Sequence, residues 1–112
     1  MPVKPKRSLA IQRRPEISLR QIKHLLRKHL PEFRQKYGVQ SLGIFGSYIR
    51  KEQKPRSDLD ILVDFDRDIS LIQFVNLELE LSDLLGVKVD LVDRETLKPE
   101  IGKNILREVV GL

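Results

Sequence analysis

An α+β domain on a small mixed sheet, with elements in the order α-β-β-α-β-α, is the fold class this sequence predicts. Three observations carry it. Apolar residues recur at helical spacing over 18–38, apolar and acidic residues alternate over 58–65 with Leu62 as the one exception, and Gly38, Gly46 and Gly86 each close an apolar segment.

The first helix starts at Ser18, which with Gln21 three positions later forms a capping box. Leu19, Ile22, Leu25, Leu26, Leu30 and Phe33 then follow at helical spacing to the Gly38 stop. Pro31 is expected to kink or divide this helix, because it lacks an N–H and crowds the preceding turn. Leu42-Gly43-Ile44-Phe45 forms a short strand that ends at Gly46. In residues 58–65, Leu59, Ile61, Val63 and Phe65 share one parity, and Asp58, Asp60 and Asp64 share the other.

Residues 70–85 open with a second capping box, Ser70 and Gln73, and stop at Gly86, which predicts a helix. The alternation Leu77-Glu78-Leu79-Glu80-Leu81 argues locally for a strand instead. Val87-Lys88-Val89-Asp90-Leu91-Val92 is a third strand. Pro99 suits the first turn of a C-terminal helix whose Ile101, Ile105 and Val109 face the core. No internal repeat or low-complexity segment interrupts this order.

With 112 residues and 40% apolar content, one domain with a modest core is expected. The absence of cysteine excludes disulfides and thiolate metal sites. No signal-peptide h-region or membrane-spanning run is visible, so a soluble cytoplasmic protein is expected. The formal charge of +5 is concentrated at one end. Residues 1–20 hold Lys4, Lys6, Arg7, Arg13, Arg14 and Arg20 against Glu16, and the remaining positions carry 15 basic and 15 acidic side chains. Pro2, Pro5 and Pro15 add to the picture of a flexible basic arm over 1–17, followed by the domain over 18–112. Such an arm can hold phosphate backbones non-specifically, but no aromatic residue interleaves its charges for base stacking.

Chemistry concentrates in the fifteen residues from Gly46 to Asp60. Side chains two apart on a strand point to the same face, with Cα atoms about 6.5–7 Å apart. Asp58 and Asp60 can therefore close on one cation while Leu59 and Ile61 anchor the other face. Hard oxygen ligands suit Mg2+, which binds through one or two carboxylates plus substrate phosphates; two such ions can activate an attacking oxygen and neutralise a leaving pyrophosphate. A third carboxylate should come from a neighbouring strand. Asp90, of opposite parity to Val89 and Leu91, is the candidate, with Asp64 and Asp93 as substitutes.

Gly46 permits a close backbone approach, and Ser47 can begin a short helical turn that holds a phosphate. Arg50 one turn on adds a cation, and Ser57, immediately before Asp58, completes the nucleotide-binding candidates. An ordinary turn plus a Ser57-Asp58 cap would explain one aspartate, not two on the same face. His24 and His29, five apart on the first helix, do not share a metal-binding face, and zinc is not expected. Ser47 does not sit in a Gly-x-Ser-x-Gly elbow, which argues against a Ser-His-Asp hydrolase.

The Gly46-Ser47 pair, the spacer of about ten residues and Asp58-x-Asp60 on a strand resemble the nucleotidyltransferase superfamily that includes DNA polymerase β. Within it the chain looks most like the minimal nucleotidyltransferases, the MntA-type antitoxins. The likeness runs from about Leu19 to Leu112 and includes Leu97-Lys98-Pro99-Glu100-Ile101. It implies the nucleotidyltransferase fold, with Asp58, Asp60 and Asp90 as catalytic metal ligands and Gly46 and Ser47 on nucleotide phosphate. Arg50 matches the arginine common after the Gly-Ser pair. Where the family has a small residue before that arginine and glycine after it, this chain has Ile49 and Lys51.

The resemblance also implies a partner. Such enzymes are typically encoded with HEPN-domain proteins, and MntA-type members transfer AMP from ATP to a tyrosine of the HEPN RNase toxin. A chain with no room for an acceptor-binding lobe is expected to borrow one. The HEPN signature, an arginine followed after four to six intervening residues by a histidine, is absent at His24 and His29, so the antitoxin is expected and not the toxin. Two alternatives are a binding-only antitoxin, motivated by Ile49 and Lys51, and a small-molecule nucleotidyltransferase, whose known examples carry an additional domain.

Overall fold

The computed structural model describes residues 17–52 and 57–112. The basic arm expected over 1–17 lies outside these residues except for Ile17, which is half-buried against the core. Residues 53–56 of the loop before Asp58 also lie outside them.

Helix α1 (Leu19–Tyr37) begins at the expected capping box and ends where Gly38 turns left-handed at φ 75°. Pro31 does not divide it. The proline is exposed, so the hydrogen bond it removes lies on the solvent side, and buried Ile22, Leu26, Phe33 and Tyr37 bind both halves of the helix to one core.

Strand β1 (Val39–Phe45) starts three residues earlier than the apolar run suggested. Polar Gln40 and Ser41 mask its beginning, and a bulge between Val39 and Ser41 keeps the ladder to the next strand in step. A four-residue helix, α2 (Ser47–Arg50), follows Gly46. Strand β2 (Leu59–Phe65) leads into α3 (Leu71–Leu85), then β3 (Val89–Asp93), a 3-10 turn at Arg94–Thr96, α4 (Pro99–Glu108) and the short β4 (Val110–Gly111). The sheet order is β3-β2-β1-β4, with β2 and β3 parallel and both pairings of β1 antiparallel.

Strand parity builds the core. Leu42 and Ile44 of β1, Leu59, Ile61 and Val63 of β2, and Val89 and Leu91 of β3 are all buried beneath α1 and α3. The alternating Leu77–Leu81 segment resolves as helix: Leu77, Leu81 and Leu85 are fully buried at helical spacing, while Leu79 points outward at 62% exposure. Two helix caps, Ser70 and Gly86, outweigh the local alternation.

Helix α3 also closes the free edge of β3. Ser82 Oγ accepts the Val89 N–H at 3.0 Å, and Glu78 Oε2 accepts the Leu91 N–H at 2.8 Å, which removes donors that would recruit another strand. Strand β3 is shifted two residues from its expected start, because Val87 and Lys88 are used in the approach from Gly86.

The C-terminal helix departs from expectation at Ile101, which is 55% exposed. Gly102 is its one buried residue, set against Leu97, and contact with the sheet is made at its C-terminal end. Val109 lies against Gly43 so closely that a Cβ on that glycine would stand 2.5 Å from Val109 Cγ2. The chain then adds β4 beside β1, pairing Ile44 with Val110 and Gly43 with Gly111. Arg27 of α1 secures this end by donating Nε and Nη2 to the Leu112 carbonyl at 3.1 and 3.0 Å.

Candidate active site

Phe45 ends β1 directly opposite Asp60 of β2, and Asp60 lies opposite Asp90 of β3. The sheet therefore sets the Gly46 turn, Asp60 and Asp90 in one row across three strands. Asp58 precedes Asp60 by two residues on the same face, and the Leu59 N–H donates to the Lys88 carbonyl, so Asp58 is held at the point where the two parallel strands begin. Leu59 and Ile61 are fully buried on the opposite face. The carboxylates thus project from a rigid platform.

Gly46 makes the close approach that its position requires. Its φ of 84° and ψ of −153° fall in a region open to glycine, and a Cβ there would meet Asp60 Oδ2 at 2.0 Å. Its carbonyl accepts the N–H groups of Ile49 and Arg50 at 3.0 and 3.1 Å, which starts α2. Ser47 is the first residue of that turn and is half-buried; Ser57 is half-buried just before Asp58.

The electrostatics of this face show in Asp60, whose carboxyl is pushed up to about 6. Burial is the main cause, the Asp90 and Asp58 carboxylates add to it, the Arg50 cation opposes it, and Glu108 adds further negative charge. Asp58 Oδ2 lies 3.9 Å from Lys88 Nζ. Asp90 is exposed at the surface.

Among the described residues, no three His, Cys, Asp or Glu side chains already stand close enough together to grip an ion. The donor set nevertheless fits a hard divalent cation. It is all carboxylate; burial is the main cause of the raised Asp60 carboxyl, and the Asp90 and Asp58 carboxylates add the part that a cation would reverse. The two substitute carboxylates have other partners. Asp64 accepts from Arg94 Nη1 at 3.4 Å, and Asp93 Oδ1 caps the 3-10 turn through the Glu95 N–H at 3.0 Å. His24 is exposed, and His29 Nδ1 sits 3.3 Å from Glu32.

Two site residues were missed by sequence reasoning. Glu108, at the end of α4, accepts the Gly46 N–H at 2.8 Å and Arg50 Nη1 at 2.6 Å through the same Oε1. Lys88 faces Asp58. Neither carries a local signal, since Glu108 is 58 residues from Arg50 and only the return of the chain to β1 brings it there.

The nucleotidyltransferase domain family matches residues 26–112 of this chain. The chain belongs to that family. It is 49% identical over 94 residues to the protein adenylyltransferase MntA of Thermococcus cleftensis, covering 84% of this chain and 95% of that protein. Among solved structures it superposes on one described as a minimal nucleotidyltransferase with a TM-score of 0.74 and 33% identity, covering 86% of this chain and 97% of the other. A toxin-antitoxin structure with AMP-PNP gives a TM-score of 0.65 at 26% identity, covering 76% of this chain and 69% of the other. No helix among the described residues is long and apolar enough to cross a membrane.

The loop at Ile49 and Lys51 has a physical explanation in this nucleotidyltransferase. Lys51 caps α2 in the left-handed conformation, φ 58° and ψ 36°, the conformation that a glycine would adopt without penalty. Ile49 packs against the core. Replacing Lys51 with glycine should therefore stabilise the protein by about 0.5–1 kcal/mol, the left-handed penalty less the extra entropy of glycine. Chemical denaturation of the two proteins measures this; a lower midpoint for the glycine variant contradicts the assignment of strain to that residue.

Proposed function

We propose that this enzyme transfers AMP from ATP to a partner protein, specifically a tyrosine of a HEPN-family RNase toxin, and so acts as the antitoxin. The observation that carries the nucleotidyl-transfer chemistry is the row formed by Gly46, Asp60 and Asp90 across three adjacent strands, with Asp58 on the same face. The protein acceptor and the toxin partner are supported by the 49% identity to a protein adenylyltransferase and by the likeness to a toxin-antitoxin structure with AMP-PNP.

In this reading Asp58, Asp60 and Asp90 hold magnesium, as one or two ions. When bound, it neutralises charge on the triphosphate and lowers the pKa of the attacking hydroxyl. Gly46, Ser47, Arg50 and Ser57 position the nucleotide. The tyrosine oxygen attacks the α-phosphorus and gives its proton to water, the bond from that phosphorus to the bridging oxygen breaks, and pyrophosphate leaves. Phe45 and Leu62, buried on the carboxylate face, keep the sheet beneath the reacting groups dry.

The test is incubation with a HEPN-family toxin as the proposed partner, ATP and magnesium, followed by mass spectrometry of the toxin. Additions of about 329 Da, one AMP each, mapped to tyrosine and absent without magnesium, are expected. An unchanged toxin mass in the presence of bound ATP refutes transfer to that partner.

A further inference from the structure

A backbone amide has one hydrogen to give, and that of Gly46 is already committed to Glu108 Oε1 at 2.8 Å. The same oxygen takes Nη1 of Arg50 at 2.6 Å, while Arg50 Nε is held by Glu52 Oε1 at 2.8 Å. The two groups suited to hold a nucleotide phosphate thus hold a carboxylate of the protein itself.

We infer that Glu108 is an internal anion that occupies the phosphate donors of the Gly46 turn, and that the nucleotide binds by displacing it. This rests on the nucleotide reading above. The exchange is physically simple. Glu108 is the last residue of α4, its side chain is 26% exposed, and rotation about its own bonds releases the carboxylate to solvent without moving the helix. The competing ligand carries more negative charge than one carboxylate and can engage both donors at once.

Position gives the contact a second effect. Glu108 adds negative charge beside Asp60, so this face of the protein carries an excess of anions that a triphosphate alone would meet unfavourably. Departure of Glu108 removes one of them as the nucleotide arrives. Until then the carboxylate keeps the Gly46 amide and Arg50 hydrogen-bonded.

The experiment compares ATP binding and AMP transfer by the wild type, Glu108→Gln and Glu108→Ala, with magnesium present and thermal unfolding recorded for each. Charged hydrogen bonds of this kind set the scale, so both variants should bind ATP roughly tenfold more tightly. KM should fall in step with the tighter binding. In the wild type, the Glu108 side-chain carboxyl resonance should shift as ATP is added. Unchanged or weaker binding by both variants, or a resonance that does not move while the wild type binds ATP, overturns the inference and leaves the nucleotide reading standing. If neither the wild type nor either variant binds ATP, the nucleotide reading falls and the inference falls with it. Binding by the variants alone would support displacement most directly.

Discussion

Asp60→Asn is expected to lower AMP transfer at least about 10³-fold while making the metal-free protein more stable at neutral pH. The activity loss follows from removing the central carboxylate of the face proposed to hold magnesium, where several kcal/mol of transition-state stabilisation would originate. The stability gain has the opposite sign for a stated reason. The folded carboxyl is raised to about 6, above its ordinary value of 3.8, so the native state binds this proton more tightly than the unfolded chain. Wild-type stability from this group is greatest below about pH 4, declines as pH rises toward 6, and is lowest above that.

The asparagine variant lacks this titration. Its advantage should be of order 1 kcal/mol at pH 8 after allowance for solvent screening, and should vanish near pH 4. Denaturant unfolding of both proteins across pH 4–8 without divalent cations measures it, and an advantage that grows toward low pH would be wrong in sign. The same variant separates enzymatic from binding-only neutralisation. With the proposed HEPN-family toxin as partner, it should still form the complex but leave the RNase active; full protection by the variant would establish neutralisation by coverage alone.

Gly46→Ala should remove activity by at least about 100-fold through geometry alone, since misplacement of about 1 Å is enough for that. The added Cβ would stand 2.0 Å from Asp60 Oδ2, against a residue fixed in the ladder opposite Phe45. Either Asp60 leaves its rotamer or the turn moves, and both break the row of groups. Strain at φ 84° adds roughly 1–3 kcal/mol of destabilisation. A control separates the two effects. Gly43→Ala meets Val109 Cγ2, not the carboxylates, and should lose stability with far less activity per folded molecule. Equal specific activities for the two folded variants would mean that Gly46 serves only the turn.

Much of the site was legible because its signals are local. Parity alone places Asp58 and Asp60 together and Leu59 and Ile61 beneath them, and the buried pattern of β2 follows it. Two capping boxes mark both long helices at their first residues. Local reasoning failed where a distant segment decides. Pro31 reads as a break until the solvent-facing side of α1 is known, and Ile101 reads as core until α4 is seen to pack by its other end. Gln40 and Ser41 join β1 because β2 supplies partners across a bulge.

By itself the sequence determined the order of the main elements, though not β4, the inward and outward faces of β2 and β3, and the Gly-Ser and Asp-x-Asp pattern of a nucleotidyltransferase. These depend on residues within a few positions of one another, where periodicity and capping act. Only the tertiary structure decided that Asp90 stands opposite Asp60, that Gly46 must be glycine because a carboxylate fills the space of its Cβ, and that Glu108 already holds the Gly46 amide and Arg50. Those facts require strand register and the return of the C-terminal segment to β1. Both are set by packing between parts of the chain far apart in sequence, which no local pattern records.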